Sequence, residues 1–271
     1  MMTLGDLLSQ CSLPRLESRL LLMQVTGLPK TRVMAFPETE ISNEHCQQFL
    51  TLVERRVAGE PIAYLLGERE FYGRGFKVSP DVLIPRPETE LLVEVALHRL
   101  RGVERPKILD MGTGSGIVAI TLALELPAAE VWALDVSSAA LRVAEANASQ
   151  LGARVQFVES NWYQNLPADL RFDVIVSNPP YIEKTDPHLS QGDLRFEPPG
   201  ALTDFADGFE CLRTIYAAAP SRLKTGGGIW AEHGYQQGDA CRLLCEQSGL
   251  LDVETLKDLA GLDRVTGGVL R

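Results

Sequence analysis

Three short stretches hold residues whose types and spacing could do chemistry: Gly112-Thr113-Gly114-Ser115-Gly116, the acid Asp135, and Asn178-Pro179-Pro180-Tyr181. Each follows a short apolar run. The glycines let backbone approach a ligand with no Cβ in the way. A G-x-G-x-x-G dinucleotide fingerprint would place its third glycine at 117, but that residue is Ile117, so the spacing here is G-x-G-x-G. Asp135 stands about 20 positions beyond Gly114, where an acid can accept hydrogen bonds from ribose hydroxyls; alone, it reads equally as a turn residue. One run later, "VESNWYQN" brings Asn161, an acceptor for an adenine amino group, and Trp162, a flat apolar wall. Taken together in a βαβ setting, these features favour a ligand that carries adenosine.

The proline pair has two readings. Pro179 and Pro180 bring no N–H and fix their own φ, so they end sheet pairing after "FDVIVS". They either close a strand, or they hold a stiff, extended backbone whose carbonyls present acceptors to something else.

The elements that must position these residues follow from periodicity. From about residue 87 short apolar runs alternate with amphipathic stretches, the pattern of a parallel α/β sheet. "KILDM", "VWALDV", "VQFV", "FDVIVS" and "GGIWAEH" are the expected strands. "GIVAITLALEL", "SAALRVAEANASQL", "DGFECLRTIYAAAPSRL" and "YQQGDACRLLCEQSGL" are the expected helices, the third opened by an Asp207/Glu210 capping box. The tail "LDVETLKDLAGLDRVTGGVLR" predicts a closing hairpin. Residues 1–68 carry helical periodicity with Gly27 and Gly67 as stops and Ser42 as an N-cap. Residues 69–86 read as a hairpin and a linker stiffened by Pro85 and Pro87 at its end, and 87–271 as the α/β domain.

Composition bounds the partners. Of 271 residues, 45% are apolar, enough for a real core, and 36 acids against 26 bases give a net charge of −10, which disfavours a broad phosphate-binding face. No membrane span or signal peptide is visible, so a cytoplasmic protein, expected to be a monomer, is the reading. The five cysteines include no C-x-x-C, and His45, His98, His188 and His233 form no ligand cluster, so no metal is expected.

The order of glycine loop, acid, Asn161-Trp162 and Asn178-Pro-Pro-Tyr resembles the class I S-adenosylmethionine-dependent methyltransferases. The flanking segments "GEREFYGRGFKVSPDVLIPRPETE" and "NPPYIEKTDPHLSQGDLRFEPPGAL" are similar to those of the release factor glutamine methyltransferase family, and the similarity covers nearly the whole chain. The resemblance implies a Rossmann-like methyltransferase sheet with a small helical N-terminal domain, joined by a β-hairpin linker. It implies methyl transfer from S-adenosylmethionine, leaving S-adenosylhomocysteine, to the side-chain amide nitrogen of the glutamine in the Gly-Gly-Gln motif of class 1 peptide chain release factors.

By position, Gly112, Thr113, Gly114, Ser115, Gly116, Asp135, Asn161, Trp162 and Asn178 would contact the cofactor, and Asn178, Pro179, Pro180 and Tyr181 the glutamine. Asn161 stands where the family commonly has aspartate. The Asn178 side-chain oxygen and the Pro179 carbonyl would accept the two amide N–H groups, with the Tyr181 ring packed on the amide plane. These acceptors and Tyr181 make up the expected catalytic set. The helical domain would recognise the protein substrate. Arg86, Glu88 and Glu197 either line the substrate mouth or belong to solvated faces or local ion pairs, and the sequence assigns no role to His188 or His233. The competing enzyme reading is an N6-adenine or N4-cytosine nucleic-acid methyltransferase, which would offer the same acceptors to a flipped base.

Overall fold

A computed structural model describes residues 2–271, and the chain divides into two compact units, Met1–Glu68 and Arg69–Arg271. In the first, β1 (Met2–Thr3) pairs antiparallel with β2 (Glu40–Ile41), and five helices enclose a small core: α1 (Leu4–Gln10), α2 (Arg15–Thr26), α3 (Lys30–Ala35), α4 (Asn43–Val57) and α5 (Ile62–Leu66). Leu4, Leu7, Leu21, Leu22, Val33 and Phe49 fill it. Local chemistry sets the helix ends. The Ser42 hydroxyl accepts the His45 N–H, Gly27 and Gly67 cap α2 and α5 in the left-handed region, and Thr3 with Asp6 forms a capping box that sequence reading passed over. Arg56 of α4 pairs with Glu17 of α2 at 2.8 Å.

From Glu68, the last residue of the first unit, β3 (Glu68–Phe71) leads into the second and forms with β4 (Arg74–Lys77) the expected hairpin, turned by Tyr72 and Gly73, both at positive φ. A 3-10 turn, Pro87–Thr89, leads into α6 (Glu90–Arg99), a helix absent from the sequence expectation. Then follow β5 (Lys107–Met111), α7 (Ile117–Glu125), β6 (Glu130–Asp135), α8 (Ser138–Leu151), β7 (Gln156–Glu159) and β8 (Phe172–Ser177). After a loop with two further 3-10 turns come α9 (Pro199–Leu202), α10 (Glu210–Ala218), β9 (Leu223–Glu232), α11 (Gly238–Gln247), β10 (Leu251–Lys257) and β11 (Asp263–Val269). The seven-stranded sheet runs β10-β11-β9-β8-β5-β6-β7, parallel except for β11, which is antiparallel to both neighbours.

The central strands β5 and β8 are buried on both faces, which explains their continuous apolar runs, while the edge strands β7 and β10 are partly exposed. Ile108, Val174, Val176 and Trp230 face one way, against α6, α7, α8 and the hairpin aromatics Phe71 and Phe76. Leu109, Met111, Ile175, Ile229 and Ala231 face the other, against α10 and α11. The chain enters the sheet at β5, builds outward through β6 and β7, then returns to β5's other side as β8. That reversal is a topological switch point, and it lies between the carboxyl ends of β5 and β8.

The Asp207/Glu210 capping box is not formed: α10 begins without a side-chain cap, and the carboxylate that takes the Glu210 N–H is that of Asp204, at 2.8 Å. Asp207 instead accepts the Phe209 N–H and pairs with Arg213. A turn ahead of the helix lets an acid six residues back reach its first N–H, which a fixed i, i+3 pattern does not anticipate.

One buried amide holds the hairpin to the rest of the unit. Asn147 of α8 accepts the Lys77 N–H at 2.8 Å and donates to the Lys77 carbonyl at 3.0 Å and the Ser115 carbonyl at 2.9 Å. Asn147→Ala strands those buried groups and should lower unfolding free energy by about 2–4 kcal/mol, read as a lower urea midpoint. A midpoint equal to the parent's would contradict this role.

Candidate active site

A cavity of about 490 Å³ opens at the switch point. The loop after β5 supplies Gly112, Thr113, Gly114 and Ser115; β6 ends in Asp135; the loop after β7 supplies Asn161 and Trp162; and β8 delivers Asn178 and Pro180. Of the expected site residues, all but Gly116, Pro179 and Tyr181 line it. The fit of its two central strands is tight, with the Ser177 hydroxyl of β8 donating to the Met111 carbonyl of β5 at 2.7 Å.

The glycine loop is shaped by its own backbone and by two carboxylates. Gly112, Gly114 and Gly116 all have positive φ. A Cβ on Gly116 would lie 2.7 Å from Ile120 Cδ1 and 3.1 Å from Ala144 Cβ, so this glycine permits the α7–α8 approach rather than ligand contact. Asp110, buried at the end of β5, accepts the Thr113 hydroxyl at 2.7 Å and the Ala119 N–H at 3.2 Å. Burial raises its pKa to about 6, against those two hydrogen bonds, which lower it. Asp135 accepts the Gly114 N–H on Oδ2 and the Ser137 N–H on Oδ1, each at 2.9 Å. Its own pKa is raised by burial, and lone pairs remain on both oxygens for a ligand in the cavity. Trp162 and Phe205, both on the cavity wall, sit at φ +50° and +59°, a backbone region bulky residues rarely adopt.

Behind Asn178 runs a chain of side chains. Asn178 Nδ2 donates to Thr89 Oγ1 at 3.1 Å, Thr89 Oγ1 to Glu232 Oε2 at 2.8 Å, and the Tyr181 hydroxyl to Glu232 Oε1 at 3.1 Å. Glu232 is wholly buried, and burial pushes its pKa up to about 7. The Tyr181 ring packs on the apolar layer beneath β8, and its hydroxyl pKa is raised by burial and by the Glu232 charge. Gln237 Nε2 donates to the Tyr181 and Gly208 carbonyls, each at 3.2 Å. Sequence reading named neither Thr89 nor Glu232, since the two lie 143 positions apart.

Arg86 and Glu197 form an ion pair, and Glu197, whose side chain is 0% exposed, also accepts the Ile84 N–H at 2.9 Å. The pair thereby ties the "LIPRP" segment to the "RFEP" loop on either side of the cavity wall. His188 is exposed and bonded to Asp186. His233 is buried, its ring between the Gly234 carbonyl and the Thr266 hydroxyl, and burial lowers its pKa. Among the described residues no group of three or more His, Cys, Asp or Glu could hold a metal, and no helix is long and apolar enough to cross a membrane.

The sheet and its helices share the fold of solved methyltransferases. A ribosomal protein L11 methylase from Lactobacillus delbrueckii subsp. bulgaricus is 21% identical, with a TM-score of 0.52 over 72% of this chain and 84% of that one. The 16S rRNA N2 G1207 methyltransferase of T. thermophilus, solved with S-adenosylmethionine and guanosine, is 23% identical, with a TM-score of 0.55 over 75% of this chain and 50% of that one. These likenesses define the class of the fold, a Rossmann-like methyltransferase. The methyltransferase small domain model matches residues 87–192, and the PrmC N-terminal domain model matches 4–67. Release factor glutamine methyltransferases of Bordetella pertussis and Neisseria gonorrhoeae are 53% and 52% identical, over 100% of both chains for the first and 98% and 97% for the second. The chain belongs to the release factor glutamine methyltransferase family, whose members are S-adenosylmethionine-dependent enzymes.

Gly116→Ala forces a side chain into the left-handed region and against Ala144. It should cost about 2–4 kcal/mol of stability, measured by urea denaturation of the full chain. An unchanged midpoint would show that α7 and α8 give way freely.

Proposed function

We propose that this chain methylates the side-chain amide nitrogen of the glutamine in the Gly-Gly-Gln motif of class 1 peptide chain release factors. The observation that carries the reading is a single cavity into which the glycine loop, Asp135, Asn161, Trp162 and Asn178 all open. The residues present suit an adenosine-bearing cofactor: a carboxylate with free lone pairs, a flat indole wall and a glycine loop that backbone atoms can approach closely. Asp135 would hold the ribose hydroxyls, Asn161 and Trp162 the adenine, and Gly112 to Ser115 the remainder. S-adenosylmethionine supplies an electrophilic methyl on its sulfonium sulfur.

A carboxamide nitrogen is a poor nucleophile because its lone pair is delocalised into the carbonyl. The protein's task is therefore alignment, which can recover on the order of 7–11 kcal/mol of barrier. Asn178 Oδ1 and the Pro179 carbonyl would each accept one amide N–H, turning the nitrogen's lone-pair face toward the methyl. As positive charge grows on nitrogen those acceptors hold it more strongly. Pro179 and Pro180 add no competing N–H donors. Tyr181, bonded to Glu232 and packed beneath β8, would hold this segment in place from behind the cavity.

Glutamine is too common a side chain to be selected by itself, so selectivity needs surface remote from the methyl. We assign that surface to the helical unit, where α2 and α4 expose Leu16, Leu50 and Val57.

The deciding experiment offers methyl-labelled S-adenosylmethionine with either a release factor or nucleic acid. Label on the release factor glutamine is expected; label on DNA or RNA alone would overturn the assignment. Asp135→Ala should raise the cofactor dissociation constant tenfold or more, since hydrogen bonds to a charged group are worth about 1.5–3 kcal/mol each. Calorimetric titration with unchanged affinity would remove Asp135 from the cofactor site. A chain beginning at Arg69 should still bind S-adenosylmethionine yet lose most activity on intact release factor. Equal kcat/KM for the short and full chains would move recognition elsewhere.

A further inference from the structure

The chain of hydrogen bonds behind Asn178 leaves little freedom in how its protons are arranged. An ionised carboxylate only accepts, so the Thr89 and Tyr181 hydroxyls must both donate to Glu232. Thr89 Oγ1 has a single proton, and that proton is then committed. Toward Asn178, 3.1 Å away, Thr89 can only accept, so Asn178 must offer its NH2. The Asn178 carbonyl oxygen is thereby turned to the opposite side of the amide. Thr89 and Glu232 are 1% and 0% exposed, which keeps solvent from supplying a substitute partner.

We propose that Glu232 is a positioning residue for methyl transfer: as a carboxylate it fixes the Thr89 hydroxyl, which holds the Asn178 amide with its oxygen facing the substrate amide. The inference rests on the reading of Asn178 as an acceptor for the glutamine N–H. A proton on Glu232 Oε2 reverses the chain. Glu232 would then donate to Thr89, Thr89 would donate to Asn178, and the amide would turn over to present its NH2, a donor, to a substrate group that can only donate. Glu232 lies behind the cavity, whereas Thr89 lines its wall and acts through Asn178.

The groups facing Glu232 set the pH at which this happens. Burial is the largest influence and raises the pKa. The Thr89 hydroxyl lowers it, Glu88 from the same 3-10 turn raises it, and the Tyr181 hydroxyl and Arg264 of β11 lower it, with the balance at about 7. Arg264 is itself paired with Asp258 at 3.1 Å. Glu232 is thus ionised above that pH and protonated below it, so the competent arrangement is lost as pH falls.

The test measures kcat on a release factor from pH 6 to 9, with cofactor affinity measured by calorimetry on each full-length variant. The parent should show an acid limb near neutral pH. Tyr181→Phe removes a hydrogen bond that favours the charged form, so its limb should move to higher pH. Thr89→Val should lower kcat ten- to a hundredfold with cofactor affinity within twofold of the parent, and Thr89→Ser should recover most of that loss. A flat parent profile, or Thr89→Val within twofold of the parent, would overturn the proposal. Asn178→Ala separates the two levels. If it is slow while Thr89→Val is not, only the positioning role falls. If it keeps the parent rate, the reading of the glutamine site falls as well.

Discussion

The parallel pairing of β5 with β8 is the constraint on which the rest of the site depends. It sets Met111 beside Ser177 and joins them by a 2.7 Å hydrogen bond, so the glycine loop and the Asn-Pro-Pro-Tyr segment leave the sheet at the same edge. Neither segment could form a cavity alone. A parallel ladder sends both chains out at their carboxyl ends, and reversal of strand order between them keeps any single helix from covering both. Slippage by one residue would turn the alternate apolar faces of both strands inside out, so two hydrophobic layers lock this register.

Around that edge the protein places buried polar groups, each with partners. Asp110 braces the turn of the glycine loop, Asn147 ties the hairpin to it, Glu197 joins the two segments that wall the cavity, and Glu232 backs Asn178 through Thr89. Burying such groups without partners would cost several kcal/mol each, so each site exists only when the folded chain has assembled it. The same low-dielectric surroundings raise the pKa values of Asp110 and Glu232 toward neutrality. Alignment of a weak nucleophile demands groups held by such partners.

Much of the sheet and of the cavity lining was legible in the sequence. Strand runs such as "KILDM" and "FDVIVS" announce themselves because both faces are buried, and helix ends such as Ser42, Gly27 and Gly67 because their capping chemistry is local. The helix α6 escaped notice because its apolar face is so broad that it shows little amphipathic contrast. The Asp207/Glu210 box failed because a nearer geometry, from Asp204, won the same N–H. Gly116 belongs to the glycine motif yet serves helix packing, a distinction spacing alone does not carry.

By itself, then, the sequence determined the local facts: which runs are strands, where glycine must turn, where proline ends pairing, and which residue types stand at strand ends. Pairings across long separations were decided only by tertiary structure. Thr89 with Glu232 spans 143 positions, Arg86 with Glu197 111, and Lys77 with Asn147 70. Such contacts have no periodicity and no fixed spacing, because they depend on which elements the sheet order brings together. The direction of the Asn178 side chain follows from such a pairing: the residue type was visible, but its orientation follows from the Thr89 hydroxyl donating to Glu232, two side chains far apart in the sequence.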